Sequence, residues 1–165
     1  MPIYMHIEGI TGSGTGKYQG WIELESAQLS TNRVSSSSIG RNANREASTP
    51  SVSEIVVTKS TDVASSALFR ESLSGQGKKV VIHFVKDDSK GQVPYLALEL
   101  ENTLISSYNV SGHGGASAAQ PMESLSLNFT KVTYSTTPVA GSTSAADVKD
   151  RAMWNLATGG AGSGP

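Results

Sequence analysis

Along most of the chain, apolar and polar residues alternate with the period of two that a half-buried strand requires. Ile3, Met5 and Ile7 alternate with Tyr4, His6 and Glu8, which predicts a first strand. Gly20 to Ser26 carries Trp21, Ile22 and Leu24 and reads as a second. Ala27 to Val34 continues extended, with Ala27 and Leu29 on one face and Gln28, Ser30 and Asn32 on the other. Val52 to Thr58 is β-branched and predicts another strand. Lys79 to Lys86 is apolar on both faces through Val80, Val81, Ile82, Phe84 and Val85, a pattern for a strand covered on two sides. Tyr95 to Glu101 alternates again, and Asn102-Thr103 predicts a break before a strand from Leu104 to Val110. Leu125, Leu127 and Phe129 alternate, then Val132 and Tyr134 resume with shifted parity, which predicts a bulge near Thr130. Ala152 to Ala157 reads as a short last strand around Trp154.

One segment breaks this rhythm. Asp62 to Ser74 places Ala64, Ala67 and Leu68 on one helical face and Phe69 and Leu73 on a second apolar edge. Thr61 or Asp62 is positioned to cap its start, and Gly75 is expected to end it in a left-handed conformation. Polar stretches separate the elements: Thr11 to Lys17, Asp87 to Gly91, Gly112 to Pro121, Thr136 to Ala146, and the long Ser35 to Pro50. A polar loop as long as Ser35 to Pro50 is uncommon inside a compact domain and is usually functional or mobile. About eight or nine short strands with turn signals between them, and one helix, predict a barrel or sandwich.

Composition narrows the function. The 165 residues suit one domain. Only 16% are charged and the net charge is −1, so nothing draws the chain to nucleic acid or an acidic membrane. Near-zero charge also leaves self-association open. Cysteine is absent, which excludes a disulfide framework, a thiolate nucleophile and sulfur-ligated zinc. No apolar run approaches the roughly 20 residues that a membrane-spanning helix needs. Met1 to His6 shows no basic stretch followed by an apolar core, so a cleaved leader is not expected.

Several chemical motifs come close and fall short. Gly12-Ser13-Gly14-Thr15-Gly16-Lys17 suggests a phosphate-cradling loop, but Thr11 and Tyr18 stand where that loop needs Gly and Ser or Thr. His113-Gly114-Gly115 suggests an esterase oxyanion loop without the Gly-x-Ser-x-Gly elbow that must accompany it. His6, His83 and His113 lack the close spacing of a metal site. Glu99 and Glu101 share a strand face, as a glycosidase pair or, more ordinarily, as a solvated edge. No catalytic constellation, metal site or cofactor is predicted.

Taken in order, a set of segments resembles the Hcp family, the haemolysin-coregulated proteins of the bacterial type VI secretion tube. They are Ile7-Glu8-Gly9-Ile10, Gly20-Trp21-Ile22-Glu23-Leu24, and Val57-Thr58-Lys59-Ser60-Thr61-Asp62 followed by Ala64-Ser65-Ser66-Ala67-Leu68. Tyr95-Leu96, Leu104 to Tyr108, Glu123 to Phe129 and Trp154-Asn155-Leu156 complete the set, over about Tyr4 to Leu156. Ala27 to Ser30 stands where relatives often carry Trp-Ser-Trp-Gly, and Ser72-Leu73-Ser74 where many carry a Cys.

The resemblance implies a mainly β fold, a small β-barrel of two antiparallel sheets with one α-helix at its side. It implies one domain over 1–157 and a flexible Gly/Ala-rich tail over 158–165. It implies a non-enzymatic subunit that forms homohexameric rings, stacks into a tube, leaves the cytoplasm on sheath contraction and carries effector proteins in its lumen. Spike, sheath and baseplate components are the implied partners, with no nucleic acid and no membrane insertion. Gln28, Ser30 and Asn32 are candidates for the lumen wall, with the outer surface as the alternative. Arg41, Asn42, Asn44, Arg45 and Glu46, in the long loop, are candidates for ring stacking, with a free surface loop as the alternative. A phage-type tail-tube protein and a monomeric β-sandwich ligand-binding module are the other readings.

Overall fold

The computed structural model describes residues 1–33, 50–88, 91–117, 119–137 and 150–161. The alternating segments form β1 (Ile3–Ile7), β2 (Ile22–Leu24), β3 (Ser26–Gln28), β4 (Thr31–Asn32), β5 (Ser51–Val52) and β6 (Ile55–Ser60). After the helix α1 (Ser65–Ser74) come β7 (Lys78–Asp88), β8 (Gly91–Ser111), β9 (Met122–Asn128), β10 (Lys131–Thr136), β11 (Asp150–Asn155) and β12 (Gly160–Ala161). Every pairing is antiparallel.

Two sheets wrap one core, and the bent strand β8 together with short bends between β2 and β3 and between β9 and β10 carries the chain from one sheet to the other. The first sheet runs β12-β11-β10-β8-β7-β1-β2, and the second is β3-β6-β9 with the far half of β8. β8 pairs with β7 and β10 before its bend and with β9 after it. Glu25, between β2 and β3, donates its N–H to Thr58 O at 2.8 Å and so turns the chain into the second sheet. The result is a mainly β fold of two antiparallel sheets with one helix beside them; the ladder does not close into the expected barrel, and β4 and β5 pair as a separate short ribbon. Met5, Ile22, Ile55, Leu68, Ile82, Leu100, Leu125 and Leu127 are all fully buried, which joins both sheets and the helix in a single core. Burying each such side chain contributes about 1.5–3 kcal/mol of transfer free energy.

Three local expectations are corrected. Asn102-Thr103 is a bend within one strand, not a gap between two: Asn102 takes a φ of 51° while β8 continues through it. Asn is the non-glycine side chain that tolerates this left-handed conformation best. The parity shift near Thr130 is not a bulge. Phe129 and Thr130 carry the chain out of the second sheet into the first, so inward parity restarts there. Gly75 has a φ of −64°, so it does not end α1 in the left-handed region. Glycine is required there for space, because a Cβ would lie 2.3 Å from Glu71 O.

The helix begins at Ser65, three residues later than expected, with Ala64 at its N-cap position and no side-chain cap there; Asp62 braces the turn that leads into it. Asp62 Oδ1 accepts the Ala64 N–H at 2.9 Å, and Ser65 Oγ accepts the Asp62 N–H at 2.9 Å. This reciprocal pair closes that turn, as the paired bonds of a capping box close a helix start. The two-sided apolar character of Lys79 to Lys86 also has its cause. Val80 and Ile82 face the core, while His83 lies under Tyr18 and Trp21, delivered by the turn at Gly16–Tyr18.

Candidate functional site

Gln28, Ser30 and Asn32 are exposed, while Ala27 and Leu29 between them pack against the core, as the alternation requires. Gln28 pairs with Val56. Ser30 O accepts the Ser53 N–H at 2.8 Å, and Asn32 O accepts the Ser51 hydroxyl at 3.2 Å. The row thus spans the end of β3, a linking residue and β4, held by backbone hydrogen bonds, and shows amide and hydroxyl groups to solvent. Arg41, Asn42, Asn44, Arg45 and Glu46 lie outside the described residues.

The strongest electrostatic feature sits under the start of α1. Lys59 is fully buried, at inward parity on β6 behind Ile55 and Val57. Its Nζ lies 2.7 Å from Ser60 O, 2.8 Å from Glu123 Oε2 and 2.9 Å from Asp62 Oδ1. Three donors thus meet three acceptors. Ser65 Oγ lies 3.3 Å away. Glu123, only 2% exposed, stands at inward parity on β9 beside Leu125 and Leu127. Burial pushes its pKa up, but hydrogen bonds from Lys59, Ser65 and Tyr108 outweigh that and hold it below the ordinary carboxylate value. Tyr108 is pushed up to about 12, first by burial and then by its hydrogen bond to Glu123. The cluster pins the helix to three strands and leaves no group free to move a proton.

Sequence reasoning quoted Lys59, Asp62, Ser65 and Glu123 as parts of a resemblance and missed their meeting. The signal was present: both Lys59 and Glu123 continue the inward row of a strand, where an unpaired charge is not tolerated.

The other ionisable candidates are similarly engaged. Glu99 meets Lys79 at 3.6 Å and Arg151 at 3.7 Å, and Glu101 meets Lys131 at 3.3 Å. His83 Nδ1 lies 3.3 Å from the Tyr18 hydroxyl, and burial lowers the His83 pKa. His113 is exposed on a loop remote from both other histidines in the topology. Gly12 and Gly14 allow close chain approach, since a Cβ would lie 2.3 Å from Trp21 O and 2.4 Å from Tyr18 O respectively. Among the described residues no three His, Asp or Glu side chains cluster as metal ligands, and no helix is long and apolar enough to cross a membrane.

What remains on the outside is surface for fitting: a polar strand row, and exposed apolar side chains at Val63, Phe69, Leu73 and Val110. The class defined is a mainly β domain of two antiparallel sheets and one helix, with a paired charge cluster buried beneath the helix start. The model of the type VI secretion system effector family Hcp matches residues 4–135. The chain therefore belongs to the Hcp family, and its role is that of a type VI secretion tube subunit. A search of curated proteins found no match. Among solved structures, a type six secretion system protein superposes with a TM-score of 0.85 at 21% identity, covering 98% of this chain and 99% of that one. Hcp1 from Salmonella typhimurium gives 0.74 at 18% identity, with 97% of each chain covered. A type VI secretion system effector from Yersinia pestis gives 0.67 at 19% identity, covering 93% of this chain and 98% of that one. At these identities the structures establish a shared fold, and the family match carries the role.

Proposed function

We propose that the chain assembles head to tail into a six-membered ring with a central channel, and that rings stack into the tube that a contracting sheath expels. The family match over residues 4–135 carries this reading. A heterologous interface that closes by rotation makes such a ring. Function here is geometric and not catalytic: the subunit contributes a wall. It waits in the cytoplasm, leaves with the tube, and meets the spike, sheath and baseplate components on the way.

Gln28, Ser30 and Asn32 line the lumen in this reading. A wall of amides and hydroxyls holds an effector weakly at each site, and six-fold repetition multiplies the hold. In this reading the long loop that carries Arg41, Asn42, Asn44, Arg45 and Glu46 makes the ring-to-ring contact, with Arg41 and Arg45 pairing with carboxylates on the next ring. Electron microscopy of the purified protein tests the core of the proposal. Annular particles with an open centre are expected, and a uniform field of compact monomers contradicts it. Gln28→Trp is expected to lower effector retention while leaving the rings intact, and unchanged retention removes β3 from the lumen.

A further inference from the structure

We propose that residues 11–20 form a strap over the outer face of the first sheet, and that the strap stays shut only while His83 is uncharged, so that acid lifts it. The device belongs to the single subunit and does not depend on the ring.

The strap joins β1 to β2 through the turn Gly16–Tyr18. Its backbone bonds are local. The Gly12 N–H donates to Gly20 O at 2.8 Å, the Gly14 N–H to Trp21 O at 2.7 Å, and the Trp21 N–H to Tyr18 O at 2.9 Å. Among the described residues, three side-chain bonds tie the strap to the rest of the molecule. Ser13 Oγ donates to Asp62 Oδ2 at 3.1 Å, and Lys17 Nζ to Gln92 O at 3.0 Å. Both are exposed, so water replaces them readily. The third joins the Tyr18 hydroxyl to His83 Nδ1 at 3.3 Å and is partly buried.

Tyr18 is the anchor of the strap. It is 3% exposed, stacks on Tyr4 with centroids 4.4 Å apart, and meets Trp21 and His83 edge-on at 5.1 and 5.8 Å. Tyr4, Tyr18 and Val85, with Trp21 packed against them, make a small cluster separate from the main core. Tyr4 pairs with His83, one residue out of step with the core pair Met5 and Ile82, so the cluster occupies the other face of the sheet. Gly16 and Gly20 flank the anchor at φ of 62° and 79°, and both can absorb the backbone rotation of a hinge.

His83 is the member of this seat that gains a charge in mild acid. On β1 it faces Tyr4, and His6 lies two residues along, with its ring 5.3 Å from Trp21 on the exposed side. The strap brings Lys17 and Tyr18. On β8 it faces Ala97, with Glu99 two residues along. Burial opposes the charge most strongly. Glu99 favours it, but Lys79 at 3.6 Å and Arg151 at 3.7 Å already share that carboxylate. Lys17 opposes it, and the balance keeps the His83 pKa below its ordinary 6.5. An imidazolium here loses water without gaining an ion pair of its own, and lifting Tyr18 lets water back in. The shut strap thus binds the proton more weakly than the open one. The open fraction rises as pH falls below 6.5, by at most about ten-fold per pH unit for one proton. Opening uncovers the rings of Tyr4, Tyr18 and Trp21, an aromatic surface hidden near neutrality and shown in acid.

Amide hydrogen exchange of the whole protein, read by mass spectrometry and corrected for the intrinsic rate, tests this at about pH 7.5 and about pH 5. Peptides covering residues 11–20 are expected to lose protection about three-fold or more in acid, while β9 keeps its own. His83→Gln and His83→Phe, uncharged at both pH values, are each expected to abolish the difference, and β9 protection reports that each variant is folded. His6→Gln is expected to retain it. Unchanged strap protection in the unsubstituted protein overturns the proposal, as does an equal acid loss in a folded His83 variant. Disappearance of the loss in His6→Gln places the proton elsewhere and overturns it too, and so does a loss that extends to β9, which marks global unfolding.

Discussion

Replacing Lys59 with Met removes one charge from the core while keeping a side chain of similar length and bulk. The ammonium lies within 2.9 Å of Ser60 O, Glu123 Oε2 and Asp62 Oδ1, so three acceptors lose their donor at once. Asp62 is 14% exposed at its side chain and can recover water, but Glu123 is 1% exposed there and cannot. Breaking a buried pair by removing one partner costs about 3–5 kcal/mol, because the other charge stays buried and uncompensated. Against a total stability of about 5–15 kcal/mol that is a large fraction. For a chain of this size it corresponds to a fall in Tm on the order of 10 °C.

The pH dependence separates this cause from simple loss of packing. In the unsubstituted protein the Glu123 pKa is lowered, so its contribution is full above the unfolded value near 4.5 and is lost as pH falls through the folded value. In Lys59→Met the burial that already pushes Glu123 upward acts without the opposing ammonium, so the carboxyl protonates at higher pH. The two stability curves are therefore expected to converge as pH drops from 7 towards 4. Urea unfolding followed by circular dichroism, at fixed protein concentration, reads both quantities. A Lys59→Met/Glu123→Leu double variant is expected to recover most of the loss, since an apolar replacement of a buried pair is often neutral. A loss below about 1 kcal/mol at pH 7, or a difference that does not change with pH, refutes the reasoning.

Two further perturbations test the bend and the aromatic cap. Asn102→Val places a β-branched residue at a φ of 51° and is expected to cost about 1–3 kcal/mol, while Asn102→Gly stays within about 1 kcal/mol of the original; equal losses in urea unfolding contradict the bend. Burial under Tyr18 and Trp21 lowers the His83 pKa, so an NMR titration of its ring is expected to show a midpoint below 6.5, and stability tied to His83 is full above 6.5 and falls as pH drops through that midpoint. A midpoint at or above 6.5 contradicts the packing.

Strands with one wet face were readable because burial writes a period of two into the sequence, as in β1 and β9. The helix was readable from its own 3.6-residue period, but it starts three residues after Asp62, and the N-cap position is Ala64. The bends were not readable as bends. Asn102, within β8, and Thr130, between β9 and β10, each mark the point where the chain exchanges one sheet for the other, and a local pattern cannot distinguish that from a break or a bulge. Gly75 carried the right residue for a different physical reason, space beside Glu71 and not a left-handed turn. The polar row at Gln28, Ser30 and Asn32 was legible as solvent-facing, but the face that a ring turns inward depends on a neighbour that one sequence does not contain. The same holds for Lys59 and Glu123: each strand displayed one anomalous inward charge, and only the pairing of β6 with β9 shows that they answer each other.

Native mass spectrometry tests the assembled ring most directly. Six subunits of 17.2 kDa predict a species of about 103 kDa that persists on dilution to micromolar concentration. A single species at 17.2 kDa across the same range contradicts the account, and would leave a domain with the family's fold but without its ring.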